Sequence, residues 1–357
     1  MTKLATDQPC RHPDPTVKAQ RLAYLLFNRP DPELAERFMT DYGLQTVSRS
    51  NDEIFMRAAD NSPFCYCIRR ADHASFIGFG FEVASMTDLQ TLSQLPDASG
   101  IETATYPGGG QIVRLKDPAG FQVEAIFGQK TVDRLQHREP LSFNFDESRT
   151  RVNDTQRSPI APPEILRLGH VVLEVPDFQK TSAWYTQHFG LIPSDVYVLP
   201  DGSPAVVFFR LDLGDEPSDH HTLAMGQGFK PGYSHSAYEL VDADAVGMGQ
   251  RVMREGNWAH SWGIGRHIHG SQIFDYWLDP WGDKHEHYCD GDLFTSELPM
   301  GVYDANREAM YQWGQVMPRS FTKPKITVEV IKGLIHSLRH SPDVTLKKVT
   351  TLVKLFG

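Results

Sequence analysis

The stretch Gly265–Asp290, GRHIHGSQIFDYWLDPWGDKHEHYCD, decides the fold, because it predicts a strand, a tight turn and a second strand. Residues 279–282 (DPWG) are typical of a turn, since proline presets φ and glycine tolerates a positive φ. Side chains two residues apart on a strand share a face, so Glu286 points away from the face of His285 and His287. A carboxylate between aromatic side chains is unusual in a barrel wall, and we interpret Glu286 as a metal ligand.

The same pattern occurs earlier in the chain. RLAYLLFNRPDPELAERFMTDYGL at 21–44 corresponds to RLGHVVLEVPDFQKTSAWYTQHFGL at 167–191, and DPAGFQVE at 117–124 corresponds to DPWGDKHE at 279–286. A repeat of this size indicates two copies of one supersecondary unit rather than a solenoid. Each copy alternates strands with one or two helices and ends in a hairpin. We therefore predict an α+β fold with two tandem modules, each a curled mixed sheet with a concave face.

The two copies differ where chemistry is expected. The second copy has a His, His, Glu set where the first has Tyr, Gly, Glu, namely His170, His235 and Glu286 against Tyr24, Gly78 and Glu124. A glycine has no side chain that binds metal, so we interpret the first module as a structural partner. Two neutral imidazoles and one carboxylate leave one face of the ion open, which suits Fe(II) or Mn(II). A zinc site is more often tetrahedral, with three ligands and one water.

Composition shifts divide the chain into five segments. They are a tail at 1–19, a first module at 20–130, a polar and Pro-rich linker at 131–164, a metal-binding module at 165–292 and an extension at 293–357.

The extension is predicted to be partly helical. Apolar residues recur at helical spacing within 326–340 and 344–356, and between 323 and 357 seven Lys or Arg face two Asp or Glu. The helices either pack on the body or on a sister subunit, or form a lid over the site or a contact with an acidic partner. In the linker, LSFNF at 141–145 carries apolar residues that we expect to pack on the barrel.

Bulk properties exclude several classes of function. The net charge of −10 argues against nucleic acid or an anionic membrane as a partner. The sequence contains no run of 18 apolar residues, so it predicts no transmembrane span. The first residues also lack the apolar core of a signal peptide, and we therefore expect a cytoplasmic protein. The four cysteines form no zinc pattern, and we expect reduced, buried thiols.

The ligand candidates extend into a longer motif that resembles a known family. His170, His235 and the run Tyr276-x-x-Asp279-Pro280-x-Gly282-x-x-x-Glu286 look like the type I extradiol ring-cleavage dioxygenases of the vicinal oxygen chelate superfamily. The resemblance covers roughly residues 20–292. The chain departs from the family pattern at Asp275, where the family has an aliphatic residue or Phe, and this departure bears on the pocket more than on the metal.

The resemblance implies an enzyme that cleaves a catechol ring with O₂, next to the hydroxyls, to a muconic semialdehyde-type product. It implies Fe(II), with Mn(II) as the alternative, and a homo-oligomer. It also implies His221 as the acid–base group, with His220 as the fallback, and His267 and Tyr276 as groups that orient the substrate. Five aromatic residues are available to line the pocket, namely Trp258, Trp262, Phe274, Trp277 and Trp281.

Three other functions compete with this interpretation. A 4-hydroxyphenylpyruvate dioxygenase also uses His, His, Glu, but its ligands are spaced more widely and it lacks the set of His221, His267 and Tyr276. A non-oxidative glyoxalase or epimerase commonly takes ligands from both modules, which Gly78 argues against. A metal-free binding or resistance protein would not need the three ligand residues together. The sequence leaves the natural catechol open among alkyl, carboxyl-bearing, biphenyl-type, polycyclic and terpenoid candidates.

Overall fold

The computed structural model describes residues 7–322 and 327–356. In these residues the chain forms two large mixed sheets, of eight and ten strands, and a small sheet of two strands. Seven α-helices accompany them. The predicted α+β class, with a helical C-terminal extension, is confirmed. None of the described helices is long and apolar enough to cross a membrane.

The first copy of the repeat forms the eight-stranded sheet. Its strands are β1 (Ala19–Arg29), β2 (Gln45–Arg49), β3 (Glu53–Arg57), β4 (Tyr66–Arg70), β5 (Ser75–Val83), β6 (Glu102–Thr103), β7 (Gln111–Lys116) and β8 (Gln122–Phe127). They lie in the order β2-β3-β4-β1-β5-β8-β7-β6. Helix α1 (Pro32–Tyr42) begins after Asp31, which accepts from the amide of Leu34, and ends at Gly43 with φ 118°. Helix α2 (Met86–Leu92) begins in a capping box.

The second copy forms most of the ten-stranded sheet. Its strands are β9 (Ile165–Val175), β10 (Ile192–Val198), β11 (Pro204–Arg210), β12 (Ser218–Asp219), β13 (Leu223–Gln227), β14 (Gly232–Leu240), β15 (Ala259–Arg266), β16 (Ile273–Leu278) and β17 (Lys284–Cys289). Helices α3 (Phe178–Phe189) and α4 (Ala243–Glu255) belong to the same copy.

The extension adds both strands and helices. Its elements are β18 (Leu293–Phe294), β19 (Gly301–Asp304), a 3₁₀ turn (Glu308–Met310), β20 (Trp313–Gly314), α5 (Arg319–Thr322), α6 (Val328–His340) and α7 (Leu346–Phe356). The large sheet has the order β19-β10-β11-β13-β9-β14-β17-β16-β15-β20, and β12 pairs with β18. The two predicted helices of the extension are therefore present. Residue 326, where the first was predicted to begin, lies outside the described residues, as do residues 1–6 of the predicted tail.

The strand register reproduces the repeat found in the sequence. Ala237 of β14 pairs with His170 of β9 on one side and with Glu286 of β17 on the other. The equivalent trio in the first sheet is Gly80 between Tyr24 and Glu124. Equal registers mean that the two copies are comparable residue by residue in the middle of each sheet. The proposed limits of the five segments stay a prediction.

The predicted hairpin is formed by β16 and β17. Asp279 accepts hydrogen bonds from the amides of Trp281 and Asp283, and Gly282 takes a positive φ of 90°. The ladder places Glu286 directly opposite Tyr276. The turn therefore sets the register that brings a carboxylate and a phenol side by side.

The two copies pack against each other through the other face of this hairpin. His287 stacks on Tyr42, with ring centroids 3.8 Å apart, and its Nε2 donates to the Tyr42 carbonyl. Arg29 of β1 is fully buried and pairs with Asp279 and Asp283 of the turn. His287 therefore stabilises the contact between modules rather than a metal site.

Two expectations about outlying segments are wrong. Phe143 and Phe145 of the linker are 57% and 66% exposed, so they do not pack on the barrel. The linker is held instead by polar contacts such as the pair between Arg138 and Asp242. Cys10 is exposed, although the other three cysteines are buried and all four are free thiols.

Candidate metal centre and pocket

Three neighbouring strands bring His170, His235 and Glu286 together. The three residues lie near the middle of β9, β14 and β17, which are adjacent in the sheet. One candidate ligand atom from each lies within 4.8 Å of the others. Nε2 of His170 is 3.2 Å and Nε2 of His235 is 3.4 Å from the Oε2 atom of Glu286. Among the described residues this is the one such group of three.

The donor set fits a divalent cation. Both carboxylate oxygens of Glu286 are buried and, within the described residues, accept no hydrogen bond of good geometry, although imidazoles lie nearby. An ionised carboxylate buried without a partner is costly, so this position calls for a positive charge. Two imidazole nitrogens and a carboxylate oxygen are the ligands that Fe(II) and Mn(II) accept.

The local electrostatics favour a charged Glu286 and a neutral His235. Burial alone would raise the pKa of Glu286, but His170, His235 and His267 outweigh it and hold that pKa well below its ordinary value. Burial lowers the pKa of His235 to about 4, against the attraction of Glu286. A charged carboxylate facing a neutral imidazole is the protonation state in which both groups can bind a metal ion.

His221 lies beside the triad and is connected to a buried carboxylate. Its ring centroid is 4.0 Å from that of His170, and burial lowers its pKa well below the ordinary value. Its Nδ1 is 2.9 Å from Nδ1 of His220, whose Nε2 is 2.7 Å from the Oδ2 atom of Asp195. Although burial raises the pKa of Asp195, hydrogen bonds from His220 and His269 hold it at about 2.

This chain of contacts sets the tautomers. Because the Asp195 carboxylate accepts from Nε2–H of His220, a neutral His220 has a bare Nδ1 that accepts from Nδ1–H of His221. Nε2 of His221 is then bare and can accept a proton. Sequence reasoning missed Asp195, because it lies 25 residues before His220 and no local pattern marks it.

Tyr276 and His267 form a second pair next to the triad. Nδ1 of His267 donates to the carbonyl of Met310 over 2.6 Å, so its Nε2 accepts from the Tyr276 hydroxyl over 3.0 Å. Burial, together with the nearby Glu286, raises the pKa of Tyr276 well above its ordinary value. The phenol is therefore a neutral hydrogen-bond donor.

All six predicted site residues line one pocket of about 640 Å³. His220, the fallback, is not among its lining residues. None of the five aromatic residues that the sequence offered as pocket candidates lines it either. Trp262, for example, packs on the buried side of Tyr276 with parallel rings 5.6 Å apart. The aromatic walls are instead Tyr197, Phe208, Phe229, Phe321 and Phe356.

The departure from the family pattern at Asp275 does not reach this pocket. The Asp275 carboxylate accepts from Nε2 of His260 and Nε1 of Trp277, and a third hydrogen bond comes from Gln250. These groups lie on the other face of β16, and none of them lines the pocket. Asp275 is therefore a buried, satisfied carboxylate.

The corresponding carboxylate of the first copy is occupied by hydrogen bonds. Glu124 accepts from Tyr24 over 2.6 Å, from Tyr106 and Arg114 over 3.1 Å each, and from Gln122 over 2.7 Å. Four donors from its own module satisfy both carboxylate oxygens. This contrast with Glu286 supports the interpretation of the first module as a structural partner.

Comparisons with known proteins agree with the fold and with the family that the sequence resembles. The model of the Glyoxalase/Bleomycin resistance protein/Dioxygenase superfamily matches residues 167–284. Metapyrocatechase 2 of Cupriavidus necator is 30% identical over 300 residues, which cover 82% of this chain and 88% of that protein.

Two solved structures share the fold. The Mn(II)-bound glyoxalase of Novosphingobium aromaticivorans has a TM-score of 0.72 at 20% identity and covers 88% of this chain and 97% of its own. Homoprotocatechuate 2,3-dioxygenase of Arthrobacter globiformis has a TM-score of 0.73 at 20% identity. The match covers 91% of this chain and 98% of the dioxygenase chain. At this identity the likeness concerns the fold alone.

Proposed function

Because the chain belongs to the extradiol ring-cleavage dioxygenases of the vicinal oxygen chelate superfamily, we propose that His170, His235 and Glu286 hold the metal of this reaction. The substrate is a catechol, and O₂ opens its ring next to the hydroxyls to a muconic semialdehyde-type product. The observation that carries the proposal is the buried Glu286 carboxylate, which accepts no hydrogen bond of good geometry from any described residue. It lies at a pocket that His221, His267 and Tyr276 also line.

The metal is proposed to be Fe(II), on the grounds of the family resemblance, with Mn(II) as the alternative that the same ligand set accepts. Such an ion, when bound, supplies an open coordination face and the redox chemistry that couples a catechol to O₂. The protein residues bind and orient the substrate and move its protons. A homo-oligomer is proposed on the same resemblance.

The pocket residues have separable roles. Nε2 of His221 takes a proton from a catechol hydroxyl and later returns it to an oxygen atom of the reacting group. A positioned acid–base group of this kind contributes about 10²–10⁴-fold. The Tyr276 hydroxyl turns from His267 to donate to the deprotonated oxygen of the catechol. His267, held by the Met310 carbonyl, accepts from that phenol and positions it until the substrate binds.

Oxygen uptake with a panel of catechols tests the proposal. The protein is freed of metal with a chelator and reloaded anaerobically with Fe(II), Mn(II) or Zn(II), and its metal content is measured. Fe(II) or Mn(II) is expected to give oxygen consumption and a yellow ring-fission product, whereas Zn(II), which has no redox chemistry, gives neither. Isomerisation of a hemithioacetal with no oxygen uptake would instead identify a non-oxidative enzyme of the superfamily.

A further inference from the structure

The two helices of the C-terminal extension form part of the pocket wall, although they lie outside the family resemblance. The pocket that contains the triad is also lined by Val330, Ile331 and Leu334 of α6 and by Val349, Leu352 and Phe356 of α7. Apart from these side chains the helices bury little, since Ser337 and Lys348 are the only residues of α6 and α7 that are classed as buried. Leu352 and Phe356 therefore both line the pocket and pack on the apolar cluster around Tyr197.

Direct contacts with the second module hold these helices in place. The Ser337 hydroxyl donates to the Phe229 carbonyl over 2.7 Å, and Nζ of Lys348 donates to Oε1 of Gln227 over 2.8 Å. Phe356 packs both on the apolar cluster around Tyr197 and on the cluster around Trp262 and Tyr276. The end of α7 thus spans the space above the site.

The pocket is far larger than a single ring requires. Its volume of about 640 Å³ lies in the middle of the roughly 300–1,000 Å³ range that drug-sized ligands fill. The space between the triad and the helices is bounded by Val206, Phe208 and the apolar side chains of α6 and α7. A bare catechol would leave most of this apolar surface without a partner.

The pocket has few cationic groups that could pair with a carboxylate of the substrate. No arginine is among its described lining residues. Nζ of Lys284 donates to the Phe321 carbonyl over 3.0 Å and lies 4.3 Å from the centre of the Phe321 ring, so this ammonium group is already engaged. Lys230 and Glu174 are exposed residues of opposite charge at the edge of the pocket. A carboxylate further in would be desolvated among mainly apolar side chains, with Lys284 already engaged, which is costly.

From these observations we infer that the C-terminal helices select an uncharged catechol with a large apolar substituent. This inference rests on the proposed ring-cleavage function. The diol end binds beside His170, His235 and Glu286, and the substituent extends over Phe208 toward Leu334 and Leu352. Small catechols and carboxyl-bearing catechols are then the poor substrates.

Rates of oxygen uptake across a matched panel of catechols test the substrate class. The Fe(II)-loaded protein is given catechol, its 3- and 4-alkyl series up to butyl, phenylcatechols, and carboxyl-bearing analogues of equal length. We expect kcat/KM to rise by about fourfold per methylene, hence about 100-fold or more from catechol to the better butylcatechol. The carboxyl-bearing analogue should fall at least about tenfold below its neutral counterpart.

The two proposals fail in different ways. If no catechol supports oxygen uptake, ring cleavage itself is wrong. If catechol or a carboxyl-bearing analogue is the best substrate, ring cleavage stands and the inference about the helices is overturned.

Substitutions on α6 and α7 test the role of the helices. Leu352→Trp puts a bulky ring into the pocket, and we expect the ratio of kcat/KM for butylcatechol to that for catechol to fall at least about tenfold. Leu346→Trp is the matched control, because Leu346 lies on the same helix, is 69% exposed and does not line the pocket. It should leave both rates and the iron content unchanged.

A substitution on the other helix, α6, provides an independent test. If Leu352→Trp does not accumulate as folded, iron-loaded protein, Leu334→Trp on α6 must lower the same ratio. If the ratio in every variant that folds equals that of the wild type, the helices do not select the substituent, and the inference is overturned.

Discussion

Glu124 and Glu286 occupy equivalent positions in the two sheets, but their carboxylates have opposite surroundings. Glu124 accepts four hydrogen bonds from its own module, whereas the buried oxygens of Glu286 accept none within the described residues. Both carboxylates are buried at the same place in the fold. The difference therefore separates a carboxylate that stabilises its module from one that is available to an ion.

The first prediction compares the same substitution at the two positions. Glu286→Gln removes the one anionic ligand, and we expect iron content after reconstitution to fall at least about tenfold, with loss of oxygen uptake. Glu124→Gln should retain iron and activity but lower the free energy of unfolding by about 1–3 kcal/mol, because a network of buried donors loses its acceptor. Metal analysis and denaturant unfolding of both variants measure these effects. Iron loss from the Glu124 variant would contradict the assignment of the site to the second module.

The second prediction concerns His221, which lines the pocket next to His170 without belonging to the triad. His221→Ala should keep metal and substrate binding while kcat falls by about 10²–10⁴-fold, because the proton acceptor at Nε2 is removed. Iron content, anaerobic substrate binding and kcat are measured on the same preparation. Loss of iron from this variant would show that His221 is a ligand rather than an acid–base group.

The third prediction concerns Asp195, the carboxylate that fixes the tautomer of His220 and through it that of His221. Asp195→Asn offers an amide of similar shape, so the contact with His220 no longer requires Nε2 to carry the proton. We expect kcat to fall by about 10–100-fold with little change in KM or iron content. Since the pKa of Asp195 is about 2, it is ionised at neutral pH, and the deficit should stay constant from mildly acidic to alkaline pH.

A purely structural role for Asp195 would give a different result. In that case Asp195→Asn would lower the free energy of unfolding and leave kcat of the remaining folded enzyme unchanged. Asp195→Glu, which retains the charge, should recover part of the lost kcat if the carboxylate acts by orienting the two histidines.

The convergence of the three candidate ligand residues was predictable because they lie in regular strands of a repeated unit. Alternation along a strand fixed the face of Glu286, and comparison of the copies identified His170 and His235. Asp195 was not predictable, since its role depends on a contact between β10 and the segment before β13.

The pocket walls were also beyond local patterns, because they depend on how distant elements pack. Trp258 was a candidate pocket residue but contacts Phe38 of the first module, with ring centroids 5.2 Å apart. Phe356 lies eighty residues beyond Tyr276 in the sequence, in an extension that the repeat does not include, yet it packs over the site. Neither placement follows from the periodicity of a single segment.

The last prediction concerns Arg29, which connects the first module to the hairpin that carries Glu286. Its guanidinium is fully buried and lies 2.9 Å from Asp279 and 2.8 Å from Asp283. Arg29→Ala leaves two carboxylates without their cation, and we expect the free energy of unfolding to fall by about 3–5 kcal/mol. Arg70→Ala is the control, since its ion pair with Glu33 is exposed and should contribute about 0–1 kcal/mol.

A double variant separates two effects of replacing Arg29: the loss of its attraction to the carboxylates, and the cost of leaving those carboxylates buried without a cation. In Arg29→Met combined with Asp279→Asn the cation and one carboxylate are both neutralised, so part of the stability should return relative to Arg29→Met alone. Urea unfolding of the iron-loaded proteins measures this recovery. If Arg29→Ala costs no more than Arg70→Ala, the buried cluster does not stabilise the contact between the modules, and the turn of the hairpin is held by its own hydrogen bonds.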